Sequence, residues 1–122
     1  MDIGSKSKQT SINDNDMKIQ QVKERVRKFV FERGWEQDHN PKNLAMSISI
    51  EAAELMEIFQ WVSIEEGWNI NNSSEKFTHL KEELADVLIY CLSLSNQLGI
   101  DVAEAIEDKM KKNEKRFPVK KK

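Results

Sequence analysis

With 122 residues the chain has the length of one ordinary domain, enough for a single core and too short for two. Hydrophobic residues make up 39% and charged residues 33%, interrupted by only four Gly and two Pro, a balance that favours an all-helical protein over a sandwich or barrel. A formal net charge of −2 argues against general nucleic-acid binding, and the single Cys91 excludes an internal disulfide and fits a buried structural thiol in a reducing cytoplasm.

In chain order, residues 1–15 are polar, alternate in charge and lack apolar periodicity, which predicts a mobile tail. No signal-peptide apolar region opens the chain and no run of about 18 apolar residues follows, so neither secretion nor membrane insertion is expected. A first helix is predicted from near Asp16, as its cap, with Ile19, Val22, Val26, Phe29 and Val30 at helical spacing until Gly34 stops it. In GWEQDHNP, Asn40 is placed to cap a second helix with Pro41 at its first position, running to about Trp61. The segment Ser63 to Ser73, with Gly67 and three Asn, predicts a surface loop anchored by Trp68. A third helix is expected from Ser74 to Gln97, closed by Gly99. Asp101 and Glu104 then form a D-x-x-E box opening a fourth helix that ends before Pro118. The domain thus spans 16–117, with a basic tail at 118–122.

The chemistry centres on two of these helices. Glu51 and Glu54 stand three apart in IEAAELMEIFQW, and Glu83 and Asp86 repeat that spacing in EELADVLIY. Residues three apart share a helix face, so each stretch aims a carboxylate pair in one direction. An ExxE pair alone more often marks a solvated face. Here both runs are otherwise apolar, and burying four uncompensated carboxylates is very costly. A divalent cation compensates them, and all-oxygen ligation selects Mg²⁺, or Mn²⁺, over zinc. Asp86 stands where a di-iron bundle carries His in its Glu-x-x-His pair, which disfavours oxygen chemistry. Four carboxylates exceed the charge of one divalent ion, leaving room for more metal and for a polyphosphate bridged to the protein by it. Glu57, one turn beyond Glu54, supports the same site, and Glu54 or Glu57 is a candidate to take a proton from water.

Further residues share those faces. Tyr90 lies four beyond Asp86, and Trp61 two turns beyond Glu54, either of which suits base stacking or plain packing. Lys109, Asn113 and Arg116 form one stripe on the fourth helix, fit to grip phosphates and also favoured there by the helix dipole. Scattered glycines exclude a P-loop or dinucleotide fold. Cys91 has no nearby His to activate it, and His79 reads as a surface residue. The second and third helices are apolar on more than one side, which implies an oligomer with an even number of subunits.

From GWEQDHNPKNL through EAAELMEIFQW and EELADVLIY to KMKKNEKRFPV, the chain resembles the all-α MazG-type nucleoside triphosphate pyrophosphohydrolases, most closely their dCTP pyrophosphatase branch. The resemblance covers about Val26 to Val119. It implies a four-helix protomer assembling as a dimer of dimers, with a metal site between two acidic helices. It also implies Mg²⁺-dependent hydrolysis of dCTP or a related (deoxy)nucleoside triphosphate to monophosphate and pyrophosphate, with no nucleic-acid or membrane partner. Its metal ligands map to Glu51, Glu54, Glu83 and Asp86, and its base pocket to Trp35 and Trp61 with His39 nearby. Its phosphate and sugar contacts map to Lys109, Asn113 and Arg116, and Tyr90 matches the tyrosine after the acidic pair. Close relatives carry a histidine nine residues before the WEQ tryptophan. Here that position is Val26, which leaves room for a different base range. MazG proper often has EExxE, whereas Ile50 precedes Glu51, favouring the smaller branch. The alternative is a non-catalytic helical oligomerisation or regulatory protein, whose ligand binding would ignore divalent ions.

Overall fold

The computed structural model describes residues 12–120, and most of the expected N-terminal tail lies outside that range. The described residues form five α-helices: α1 Ile19–Glu32, α2 Pro41–Phe59, the short α3 Ile64–Trp68, α4 Ser74–Leu98 and α5 Val102–Arg116. A 3₁₀ turn, Ile70–Asn72, links α3 to α4, and no strand occurs among the described residues.

Local chemistry fixes most of the boundaries. Asn40 accepts a hydrogen bond from the Asn43 backbone N–H at 2.9 Å, and Pro41 occupies the first helical position of α2. Gly34, at φ 65°, ends α1 in a Schellman turn: its own N–H reaches Phe31 O and that of Trp35 reaches Val30 O. Gly99 closes α4 with the same left-handed turn, Ile100 N–H reaching Ser95 O. Asp101 accepts from Glu104 N–H at 2.9 Å and opens α5.

Three local expectations change. Asp16 does not cap α1; it sits in a turn organised by Asn13, whose side-chain oxygen accepts from Asn15 and Asp16 N–H. The helix starts at Ile19 instead, with the Gln21 side chain accepting from Lys18 N–H. Ser63 to Ser73 is helical rather than looped, because Ser63 caps α3 by accepting from Glu66 N–H and donating to its carboxylate. Trp68 anchors nothing within the chain and is 84% exposed.

α2 and α4 pack antiparallel as the central pair, with Glu51 opposite Glu83 and Asp86 while Gln97 donates to Glu36 O just before α2. α1 lies against the C-terminal half of α4. Asn96 donates to Lys23 O, and Arg27 donates to Asn96. Lys23 is buried, its ammonium donating to Ile100 O at 2.7 Å, where the carbonyl end of α4 favours a positive charge. The core of a single chain is small: Val26, Val30 and Leu44 are its buried apolar residues among those described, and of these Leu44 alone is fully buried.

Candidate active site

Along α4 the positions 79, 83, 86, 90 and 93 fall on one stripe, spaced alternately by four and three. It carries His79, Glu83, Asp86, Tyr90 and Ser93, and α2 and α1 close over it from either side.

At the middle of the stripe, one oxygen each of Glu51, Glu83 and Asp86 lie within 4.8 Å of one another. Glu51 Oε2 and Glu83 Oε2 are buried without a hydrogen-bond partner. Two orphaned carboxylate oxygens facing a third acid are an unfavourable arrangement for the protein alone, since buried oxygens are nearly always paired. They fit a divalent cation, whose hard charge suits an all-oxygen cage. Burial raises the Glu51 pKa above the ordinary carboxylate range. The adjacent Glu54 carboxyl adds to this, as do the negative charges of Asp86 and Glu83. Glu83 Oε1 is held by His79 Nε2 at 3.2 Å, a contact that follows from their separation of four residues. Glu54 and Glu57 stand beside the cluster, lining a cleft of about 530 Å³ with Lys76, His79 and Glu83.

On the other side of the cluster a second cleft, of about 520 Å³, runs between α1 and α4. Its walls are Val22, Val26, Phe29 and Val30 from α1, Trp35 and His39 from the following connection, and Ile89, Tyr90 and Ser93 from α4. Asp86 sits at its edge and joins it to the acidic cluster. The Schellman turn at Gly34 brings Trp35 back over α1, where it meets Phe29 edge to face at 5.7 Å. His39 stacks on Trp35 at 5.7 Å and tilts against Tyr90 at 6.2 Å. A row of three π-faces beside a triple carboxylate site suits a ligand with a planar ring at one end and an anionic, metal-binding group next to it.

Of the residues singled out from sequence, Glu51, Glu54, Glu57, Glu83, Asp86, Trp35, His39 and Tyr90 assemble here. The others lie elsewhere in the chain. α2 ends at Phe59, two residues short of Trp61, whose side chain is 89% exposed and outside both clefts. Lys109 lines a separate apolar groove between α4 and α5 with Cys91, Leu94 and Ile106, and neither Asn113 nor Arg116 lines either site cleft. Sequence reasoning passed over Arg25 and Ser93, gave Phe29 only a place on the apolar face of the first helix, and read His79 as a surface residue, which its exposed side chain bears out without excluding its contact with Glu83. His79 and Ser93 were visible in principle, lying four before Glu83 and three after Tyr90 on the same stripe.

The model of the MazG-like family matches residues 46–122. The chain is 41% identical over 91 residues to a Bos taurus protein named dCTP pyrophosphatase 1, covering 75% of this chain and 54% of that protein. Its Homo sapiens namesake is 40% identical over 94 residues, covering 74% and 53% respectively. The chain therefore spans about half the length of these mammalian relatives. A crystal structure described as a pyrophosphatase from Archaeoglobus fulgidus superposes with a TM-score of 0.76 at 41% identity, covering 89% of this chain and 100% of the other.

Proposed function

The chain belongs to the MazG-like family, and on that premise we propose that it is an enzyme. In this reading it hydrolyses (deoxy)nucleoside triphosphates, dCTP or a related dNTP, to the monophosphate and pyrophosphate. The observation that carries it is the triple contact of Glu51, Glu83 and Asp86, with two buried oxygens unpartnered, at the mouth of the aromatic cleft.

Trp35, His39 and Tyr90 hold the base by stacking, and Asp86 marks where the cleft gives way to the phosphate-binding end. Glu51, Glu83 and Asp86, with Glu54, hold Mg²⁺ or Mn²⁺; the bound cation supplies charge neutralisation and Lewis acidity at the phosphates. Glu54 or Glu57, beside the cluster, takes the proton of the attacking water, and His79 keeps Glu83 oriented. Trp61, Lys109, Asn113 and Arg116 complete the base and phosphate contacts from a neighbouring chain in a dimer of dimers. The setting is the cytoplasm, where the free Cys91 stays reduced, and the role is clearing unwanted nucleotides from the pool. Among the described residues no helix is long and apolar enough to cross a membrane.

The test is pyrophosphate release from a panel of dNTPs and NTPs, with Mg²⁺ and with chelator, on the wild type and on Glu83→Gln and Asp86→Asn. The expected result is magnesium-dependent pyrophosphate plus matching monophosphate, lost in both variants. Turnover of no nucleotide, or turnover indifferent to chelation and to both substitutions, overturns the reading in favour of a non-catalytic helical protein.

A further inference from the structure

The base cleft contains a polar group that stacking does not use. Ser93 projects from α4 one turn beyond Tyr90, is 4% exposed, and its hydroxyl has no hydrogen-bond partner. Inside a helix a buried serine usually satisfies itself on the carbonyl four residues back. Ser95 satisfies its own hydroxyl locally, donating to Leu92 O at 2.7 Å. Ser93 does not, and it shares the cleft with a second orphan, His39 Nδ1. Two buried polar atoms left unpaired in one aromatic-walled cleft are costly for the free protein. Such groups are expected where a ligand supplies the missing partner.

We propose that Ser93 is a specificity-determining residue: it hydrogen-bonds the polar edge of a pyrimidine stacked among Trp35, His39 and Tyr90, next to the apolar Val26. The inference rests on the nucleotide pyrophosphohydrolase reading and sharpens it. Val26 is itself buried on the α1 wall and offers no hydrogen bond, so polar discrimination falls to the residues around it. A hydroxyl both donates and accepts, and one side-chain torsion is enough to re-aim it. Ser93 therefore accepts a hydrogen bond from an exocyclic amino group or donates one to a carbonyl oxygen at the same ring position. The cleft takes cytosine and uracil rings with similar preference, and rejects a ring that carries neither group.

The test crosses Ser93→Ala with removal of that ring substituent. Turnover of dCTP, dUTP and a pyrimidin-2-one deoxynucleoside triphosphate, which lacks the 4-substituent, is measured on the wild type, Ser93→Ala and Ser93→Cys. Binding of the three corresponding monophosphates is followed in parallel by tryptophan fluorescence. In the wild type, loss of the substituent lowers kcat/KM and affinity about tenfold, while dCTP and dUTP differ by less. In Ser93→Ala the same loss changes little, and removing the orphan hydroxyl leaves Tm unchanged or raised. Equal effects of Ser93→Ala on all three ligands, or none on any, overturn the proposal even if the enzyme is active. Turnover of no triphosphate alongside intact base discrimination in the monophosphates sinks the hydrolase reading while sustaining the role of Ser93. Absence of any binding sinks both.

Discussion

Glu51 sits where the folded chain holds its proton too tightly for a free surface carboxylate. Its pKa is raised, chiefly by burial and then by Glu54, Asp86 and Glu83, so the native state binds the Glu51 proton more strongly than the unfolded state does. The stability this contributes is full below the ordinary carboxylate range and is lost as pH rises through the raised value. In metal-free protein, then, Glu51 costs the fold stability as pH rises above the ordinary carboxylate range. Glu51→Gln, which mimics the neutral acid, is expected to abolish turnover while raising the Tm of the metal-free protein at neutral pH by roughly 2–5 °C, with little change at acid pH. Divalent cation should raise the wild-type Tm and leave that of the variant nearly unmoved. Thermal melts at the two pH values, with metal and with chelator, check all of this; a variant less stable than wild type at neutral pH removes the electrostatic account. Lys23 shows the opposite balance, since its buried ammonium is matched by Ile100 O at the end of α4. Lys23→Met leaves that carbonyl without its charged donor and should cost about 1.5–3 kcal/mol in denaturant unfolding, with the site's chemistry unchanged. The two acid pairs were legible as i, i+3 spacings, and the apolar runs around them signalled an uncompensated cost; that it falls on Glu51 was not legible. It depends on how closely α2 and α4 approach, a tertiary distance that spacing along one helix does not contain.

Helix ends were the most legible feature, because a cap is a conversation between residues three to five apart. Asn40 with Pro41, the glycine stops at Gly34 and Gly99, and Asp101 with Glu104 all sit where their residue types require. Ser63 to Ser73 reads as a loop if Gly67 and the asparagines alone are weighed; the S-x-x-E signature of Ser63 and Glu66, equally local and overlooked in that reading, prevailed. The two glycines now predict opposite outcomes for one substitution. Gly99 has φ 65°, so an alanine there must adopt the left-handed region, and Gly99→Ala should destabilise by about 1–2 kcal/mol. Gly67 lies inside α3, where an added Cβ would meet the Phe59 ring at 3.7 Å, an ordinary contact. Gly67→Ala should instead stabilise by about 0.5–1 kcal/mol, through lower backbone entropy in the unfolded chain. Denaturant midpoints of the two variants give both signs in one experiment; equal losses would mean that α3 is not helical in solution.

A single chain leaves too much apolar surface in water. Met46, Ile50 and Met56 on α2, Leu84 and Leu88 on α4, and Ile106 and Met110 on α5 are each about half exposed or more, against three buried apolar residues among those described. The sequence signalled this by making α2 and α4 apolar on several sides, and it could not say which side meets which neighbour. The site repeats the point in chemical terms, since Trp61 and the Lys109, Asn113, Arg116 stripe lie away from the carboxylates of their own chain. On α4 the groove residues Cys91 and Ser95 face roughly a third to a half turn away from Asp86 and Tyr90. If α5 serves a neighbour's site, the catalytic unit is an assembly, and light scattering should return four times the 14.2 kDa chain mass. The sharper consequence is complementation. Glu83→Gln removes the metal end of one site, and Arg116→Ala removes the phosphate contact that the same chain lends to another. Each variant alone should be nearly inactive. Unfolded together and refolded as mixed oligomers, they should recover turnover well above either parent, because some sites then draw wild-type Glu83 from one chain and wild-type Arg116 from the other. A mixture no more active than its parents, with mixed oligomers shown to form, would place Arg116 in its own chain's site or in none.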